Sequence, residues 1–304
     1  MYFARRILML IPLLLLISFF AFALVRIAPG GPFDHERKAA SPEIERRLKA
    51  KYHLDEPIWK QFGRYLGGLL RGDLGPSLKQ RNYSVNEIIA QGLPVSLTLG
   101  GVAFLFAMGV GIPIGFYGAV RKGQWDEFAG SFFTLLLVCV PALALGPLLV
   151  MIFAIKLRWF PVGLWATPWH AILPVVTLGF YFAGRIARLM REGMLNTLHS
   201  EFITTARAKG LSDQAILWKH AFGLAVLPVL SYSGPLLADL LTGSFVVENI
   251  FQLPGIGVSL VNSSLNRDYP LVVGLVILYA LLLLLLNLAV DAAYSQIDPR
   301  VKLA

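Results

Sequence analysis

Charge is scarce in this 304-residue chain: Asp, Glu, Lys and Arg make up 15% of it, against 56% apolar residues. So much apolar surface cannot be hidden in one water-soluble core of that length, which assigns the chain to a bilayer. Cysteine is scarcer still. Cys139 is the sole cysteine and lies inside an apolar run, so a disulfide or a thiolate metal cluster has no second member. The five histidines, His35, His53, His170, His199 and His220, share no metal-ligand spacing. No Ser, His and Asp combination gathers near one apolar stretch as a hydrolase requires. The dipeptide Gly-Lys is missing, and with it the phosphate-cradling loop G-x-x-x-x-G-K-[ST]. Metal, cofactor and catalytic chemistry are therefore not expected, and ATP cannot be held here by that loop.

What is present is apolar length. A helix crossing the ~30 Å hydrocarbon layer needs about 20 apolar residues. Six predominantly apolar runs meet that need: Ile7 to Val25, Leu93 to Ala119, Phe128 to Ile155, His170 to Leu189, Ala221 to Val247 and Leu271 to Val290. Arg5 and Arg6 before the first run, and Ala21-Phe-Ala23 within it, imitate a secretory signal, but the run exceeds the 7 to 15 residues of a signal core and reads as a retained helix. The expected fold is an all-α polytopic membrane protein with six transmembrane helices.

The net charge of +9 raises the question of nucleic acid, yet in a membrane protein surplus Lys and Arg first report topology, because cytoplasmic loops retain them. Arg5, Arg6, Arg121, Lys122, Arg185, Arg188, Arg191, Arg207, Lys209, Lys219, Arg300 and Lys302 fall on one side of the six runs, and only Lys156, Arg158 and Arg267 lie in short loops of the other. Both termini are thereby expected in the cytoplasm, with no nucleic-acid partner. The expected divisions are a cytoplasmic N-terminus and first span (1–28), an extracytoplasmic helical cap (29–92), a five-helix core (93–291) with a cytoplasmic hairpin at 199–221, and a cytoplasmic tail (292–304). Ser41-Pro42-Glu43 marks a helix start within the cap.

Several runs carry helix breakers: Pro94 and Pro113, Pro141 and Pro147, Pro228 and Pro235. Membrane helices tolerate Pro generally, and kinked helices also line moving cavities. Gly111 and Gly115 offer a small-xxx-small face for close helix packing. Asp239 sits inside an apolar run, where a carboxylate is costly unless paired or facing water. It is a candidate to meet a cation, or else a neutral or hydrogen-bonded packing residue. Arg26, near the outer end of the first run, can snorkel to the interface.

The most polar stretch of the second half is His199 to Ala221. Ser200 can cap a helix opened by Glu201 and closed by Arg207 and Lys209, with Gly210 supplying a left-handed stop. Ser212 can cap a second helix from Asp213. Phe202, Ile203 and Ala206 share one side of the first helix and are framed by Thr204, Thr205, Arg207 and Lys209. That patch suits docking to a partner, adsorption on lipid headgroups, or a helix-turn-helix, although membrane tethers on both sides leave a duplex little access.

The residues of this stretch, TARAKGLSDQAILWKHA, resemble the cytoplasmic loop of binding-protein-dependent ABC transporter permeases of the peptide and nickel branch. ARLMREGMLNTLHSEFITTARAKG extends the likeness upstream, and VVENIFQLPGIG, LNRDYPLV, LVRIAPGGPF, AKYHLDEPI and GDLGPS carry it over essentially the whole chain. The resemblance implies the type I ABC importer permease fold and a bacterial inner-membrane location. It is nearest to the first of two permease subunits of an oligopeptide importer; dipeptides, nickel chelates and glycan-linked peptides are the other cargoes of the branch. The partners it implies are a second homologous permease, two ATP-binding subunits, an extracytoplasmic peptide-binding protein, the peptide itself and membrane lipid. Glu201, Phe202, Ile203, Thr205, Ala206, Arg207, Lys209 and Gly210 become the ATPase-coupling residues. Thr204 and Thr205 stand where the general family pattern has Glu and Ala, and only Ala206 and Gly210 match it; Glu201 lies one turn earlier. The reading of a different class is an ion-coupled secondary transporter working alone, which would generally carry more spans and an internal repeat.

Overall fold

The computed structural model describes residues 2–27, 55–80, 82–120, 132, 134 and 139–297, with the side chains of residues 2–7 and 290–297 outside that description. The expected helix start at Ser41-Pro42-Glu43, residues 128–131, 133 and 135–138 of the third run and the basic residues Arg121, Lys122, Arg300 and Lys302 lie outside the described residues. In chain order the α-helices of six residues or more are α1 (Tyr2–Ile27), α2 (Ile58–Leu69), α3 (Val85–Val120), α4 (Ala142–Leu149), α5 (Pro168–Leu198), α6 (Glu201–Ala208), α7 (Leu227–Leu241), α8 (Phe245–Ile250), α9 (Ile256–Asn266) and α10 (Tyr269–Ile297), with a short helix Asp213–Ala215, a π-helical turn Ile216–Ala221 and a short helix Phe222–Ala225 between α6 and α7. Among the described residues the only β pairing is an isolated bridge between Pro76 and Ser84.

Five stretches are long and apolar enough to span a membrane: Leu8–Ile27, Val85–Val120, Pro168–Leu198, Leu227–Ile250 and Tyr269–Ala289. They coincide with five of the six expected runs. The described part of the remaining run is the shorter apolar helix Ala142–Lys156. Pro141 stands at the N-cap of α4, and past Pro147 the chain widens into a π-helix over Val150–Lys156. Pro94 and Pro113 leave α3 unbroken. Pro228, by contrast, marks a real break: the expected fifth span from Ala221 is interrupted at Val226 and restarts at Leu227. A proline in the first turn of the new helix removes an N–H that has no intrahelical partner there anyway.

By its contacts the chain divides into two compact units, one drawn from Met1–Val95 and Pro254–Leu285, the other from Ser96–Leu253 and Leu286–Ala304. The first unit is built on Val85, Ile88, Ile89, Ile256, Leu271 and Leu275, all buried. A second cluster joins Phe22 of α1 to Val273 and Ile277 of α10, with Phe62 and Tyr65 of α2 against it. Arg26 does not simply snorkel. Its guanidinium lies 3.6 Å from the Phe22 ring centre and its Nε donates to Gln61 Oε1 at 2.9 Å, so it is fastened to α2. The hydroxyl of the half-buried Tyr65 is enclosed there with no hydrogen-bond partner among the described residues, and burial pushes its pKa above the ordinary phenol range.

The strongest polar fastening of this unit is Asp268, which is 1% exposed. Its carboxylate accepts from the Ser77 hydroxyl and from the backbone N–H groups of Leu78 (3.0 Å) and Lys79 (3.4 Å). The loop before α3 is thus tied to the start of α10 by a charge whose hydrogen bonds compensate its burial.

In the second unit the expected small-xxx-small face is formed. A Cβ on Gly111 would lie 2.6 Å from the Ala183 carbonyl oxygen, and one on Gly115 would lie 2.2 Å from that of Ala187, so only glycine lets α3 and α5 approach this closely. The same unit holds a second buried carboxylate. Glu248 of α8 and Ser96 of α3 are both 0% exposed, and Ser96 Oγ donates to Glu248 Oε1 at 2.8 Å. His170 has a structural role as well: its Nδ1 accepts from Thr167 N–H at 3.2 Å at the start of α5, beside Pro168 at the first helical position.

Candidate functional site

Two features of the second unit are candidates for function: the polar hairpin after α5, and the charges on the spans themselves. The hairpin is fixed at its root. A Cβ on Gly193 would meet the Ala225 carbonyl oxygen at 2.3 Å, so the lower part of α5 and the short helix Phe222–Ala225 are in backbone contact. Phe116, near the end of α3, stacks on Trp218 with ring centres 4.7 Å apart and meets Phe222 edge-on at 6.0 Å. The hairpin therefore moves with α3 and α5 and has no slack of its own.

Its first helix, α6, begins at Ser200 in extended conformation. The expected side-chain cap is not made: Ser200 Oγ donates back to the Thr197 carbonyl at 2.5 Å, while the Ser200 carbonyl takes the first helical bond, from Ile203 N–H at 3.2 Å. The C-terminal stop does form as the sequence indicates. Gly210 has φ +77°, Leu211 N–H donates to the Ala206 carbonyl and Gly210 N–H to that of Arg207. These two bonds constitute a Schellman motif, which satisfies the last carbonyls of α6 and turns the chain. Ser212 then caps the second helix, accepting from Ala215 N–H at 3.4 Å.

The outward apolar patch expected from Phe202, Ile203 and Ala206 is not presented. Ile203 is 0% and Ala206 7% exposed, both turned in toward the segment that holds Ile216 and Ala221. Their spacing of three residues gives α6 a single buried stripe, and with so few apolar groups in the hairpin that stripe is used to seat the helix. The exposed face carries Glu201, Phe202, Thr204, Thr205, Arg207 and Lys209, with Gly210 at its end. Arg207 Nε is 3.9 Å from Asp213 Oδ1, an exposed contact that contributes little to stability.

Asp239 lies apart from the hairpin, on α7. It is exposed and shares a face with Pro228, Ser231, Tyr232 and Pro235, at helical spacings of three, four, seven and eleven. A parallel polar row occupies α5: Tyr181, Arg185, Arg188 and Glu192. The Arg185 guanidinium lies 5.2 Å from the Tyr232 ring centre, and Arg188 Nε is 3.0 Å from Glu192 Oε1. The α5 row and, from α7, Pro228, Ser231, Tyr232 and Pro235 border a cavity of about 700 Å³, with Asp239 beyond it. Sequence inspection counted Arg185 and Arg188 only as topology charges; their i, i+3 spacing and the i, i+7, i+11 relation of Tyr181 to Arg188 and Glu192 were the available signal.

Apolar spans joined by one short, capped, cationic helix, with a polar cavity between two of the spans, define a membrane component of a transport system. The family described as the binding-protein-dependent transport system inner membrane component matches residues 111–303, and the chain belongs to it. It is 46% identical over 301 residues to the oligopeptide transport system permease protein OppB of Haemophilus influenzae, covering 98% of both chains. The OppB of Salmonella typhimurium is 44% identical over 300 residues, and the dipeptide transport system permease protein DppB of Bacillus subtilis is 39% identical over 290 residues, covering 95% of this chain and 94% of that protein. Among solved structures, an inward-facing MetNI methionine ABC transporter superposes with a TM-score of 0.57 at 18% identity, over 69% of this chain and 96% of that one. That likeness is one of fold.

Proposed function

We propose that the chain is a permease subunit of an ATP-driven, binding-protein-dependent oligopeptide importer, paired with a second homologous permease and served by two ATP-binding subunits and an extracytoplasmic peptide-binding protein. Identity of 44–46% to oligopeptide permeases over nearly the full length carries this reading; the lower identity to a dipeptide permease makes shorter peptides the second choice of cargo. The hairpin is the coupling element. Glu201, Phe202, Thr205, Arg207 and Lys209 touch the ATPase, Ile203 and Ala206 seat the helix from behind, and Gly210 sets its direction. Closure of the ATPase pair pulls on α6, and the root contacts at Gly193, Phe116 and Trp218 pass that displacement to the spans. Coupling of this kind requires that the ATPases bind two arrangements of the bundle with different affinity.

Reconstitution tests the proposal. With all partners present, proteoliposomes take up labelled oligopeptide on addition of ATP, and the purified chain alone hydrolyses none. ATPase activity in the isolated chain, or uptake without the ATP-binding subunits, contradicts it. The orientation proposed places both termini in the cytoplasm, so a reporter after Ala304 is cytoplasmic and one near Ser41 is external; both on one side overturns it.

A further inference from the structure

Two charges on the spans of the second unit are left without opposite-sign partners. Arg185 of α5 rests against the Tyr232 ring, and no carboxylate among the described residues pairs with it. Asp239 of α7 has no cation paired with it among the described residues and is exposed. In an apolar span such groups are costly unless they face water, a partner subunit or a charged cargo. Arg185 borders the cavity of about 700 Å³ with Tyr181, Arg188, Ser231 and Tyr232, and Asp239 lies beyond that cavity on the helical face of α7 that carries Ser231, Tyr232 and Pro235. Asp239 is seven residues beyond Tyr232, and hence about 10 Å further along the helix axis. With the hairpin in the cytoplasm, the acidic group is the outer one and the guanidinium the inner one.

We propose that this face is a peptide-binding lane of fixed polarity, in which Asp239 receives the α-ammonium of the peptide and Arg185 its α-carboxylate. The separation of about 10 Å matches about three residues of extended chain at ~3.4 Å each. Tyr181 offers a ring face and a hydroxyl to the backbone between. Arg188 is held by Glu192 and borders the lane on its cytoplasmic side. A guanidinium supplies paired donors to a carboxylate, and a carboxylate accepts from all three N–H groups of an ammonium, so opposite ends of one zwitterion are recognised by different chemistry. Side chains of the cargo need no specific partner, which suits a path that passes many sequences. The inference rests on the importer reading above and adds the site and the direction of the peptide within it.

The experiment uses the complete importer in proteoliposomes and two tripeptides, one with photoreactive benzoylphenylalanine as first residue and one with it as last. Uptake and ultraviolet crosslinking are measured on the same vesicles during ATP turnover, and labelled residues are mapped by mass spectrometry. The first-position probe is expected to label α7 around Asp239, and the last-position probe to label α5 around Arg185. Asp239→Asn, close in shape to the native residue, and the shorter, neutral Arg185→Gln are each expected to weaken peptide half-saturation about tenfold, the effect of one charge-assisted contact. Each should abolish the difference between the two labelling patterns, while Arg185→Lys retains part of it. Uptake with identical labelling by both probes, with labels outside α5 and α7, or with no label overturns the lane and leaves the importer reading intact. Vesicles that take up neither peptide overturn the importer reading and the lane with it.

Discussion

Asp268 and Asp239 are the same residue type in the same apolar chain, treated in opposite ways. Asp268 is 1% exposed and accepts from a serine hydroxyl and two backbone N–H groups, so its charge is fastened by the fold. Asp239 is exposed, with no cation paired to it among the described residues. The contrast recurs with cations: Arg26 is stacked on Phe22 and bonded to Gln61 across to α2, whereas Arg185 meets only the ring and hydroxyl of Tyr232. Where a charge is fully satisfied it holds helices or loops together. Where it is left on a span face without an opposite charge, the fold gains little from it, and water, a partner subunit or cargo must offset its cost.

Removing a fastened group should cost the most. Asp268→Ala leaves the Ser77 hydroxyl and the Leu78 N–H buried without acceptors, at about 3 kcal/mol or more in total, read as a lower melting temperature in detergent and a poorer yield of folded protein. Asp268→Asn keeps one acceptor oxygen and should lie between this variant and the native chain. Gly115→Val comes next. Its Cβ would meet the Ala187 carbonyl at 2.2 Å, forcing α3 from α5 for a loss of about 1–3 kcal/mol, and cysteines placed along the two helices would crosslink less readily. Gly210→Val has open space around its Cβ but a φ of +77°, so the strain is local, about 1–2 kcal/mol. It should leave membrane insertion intact and reduce both peptide uptake and crosslinking between position 202 and the ATPase. The smallest stability change, under about 1 kcal/mol, belongs to Arg185→Gln, although its loss of uptake should be about tenfold; a destabilisation as large as that of Asp268→Ala would erase the comparison.

The sequence made the spans legible because hydrocarbon thickness sets their length, and five runs reappear, with single ends shifted by up to nine residues. It also made the Gly210 stop and the Gly111/Gly115 contact legible, since each depends on what glycine alone permits. The inward turn of Ile203 and Ala206 was not legible, because apolar residues on a short exposed helix read equally as a docking patch or as an anchor until a neighbour is placed behind them. The fastenings at Asp268 and Glu248 were hidden for the same reason: their partners, Ser77 and Ser96, lie 191 and 152 residues away in sequence. Asp239 was conspicuous as a lone acid in an apolar run, but Arg185 was not, because arginines near a span end ordinarily report topology.

The direct test pairs Asp239→Asn with Asp268→Asn in the same reconstituted importer, each measured for thermal stability and for ATP-driven peptide uptake. Asp239→Asn should melt with the unmodified protein and lose about tenfold in peptide half-saturation, while Asp268→Asn should melt several degrees lower and, at a temperature where it stays folded, keep the native half-saturation. An Asp239→Asn variant that takes up peptide at the native half-saturation, or that loses uptake only in step with its stability, would contradict the account.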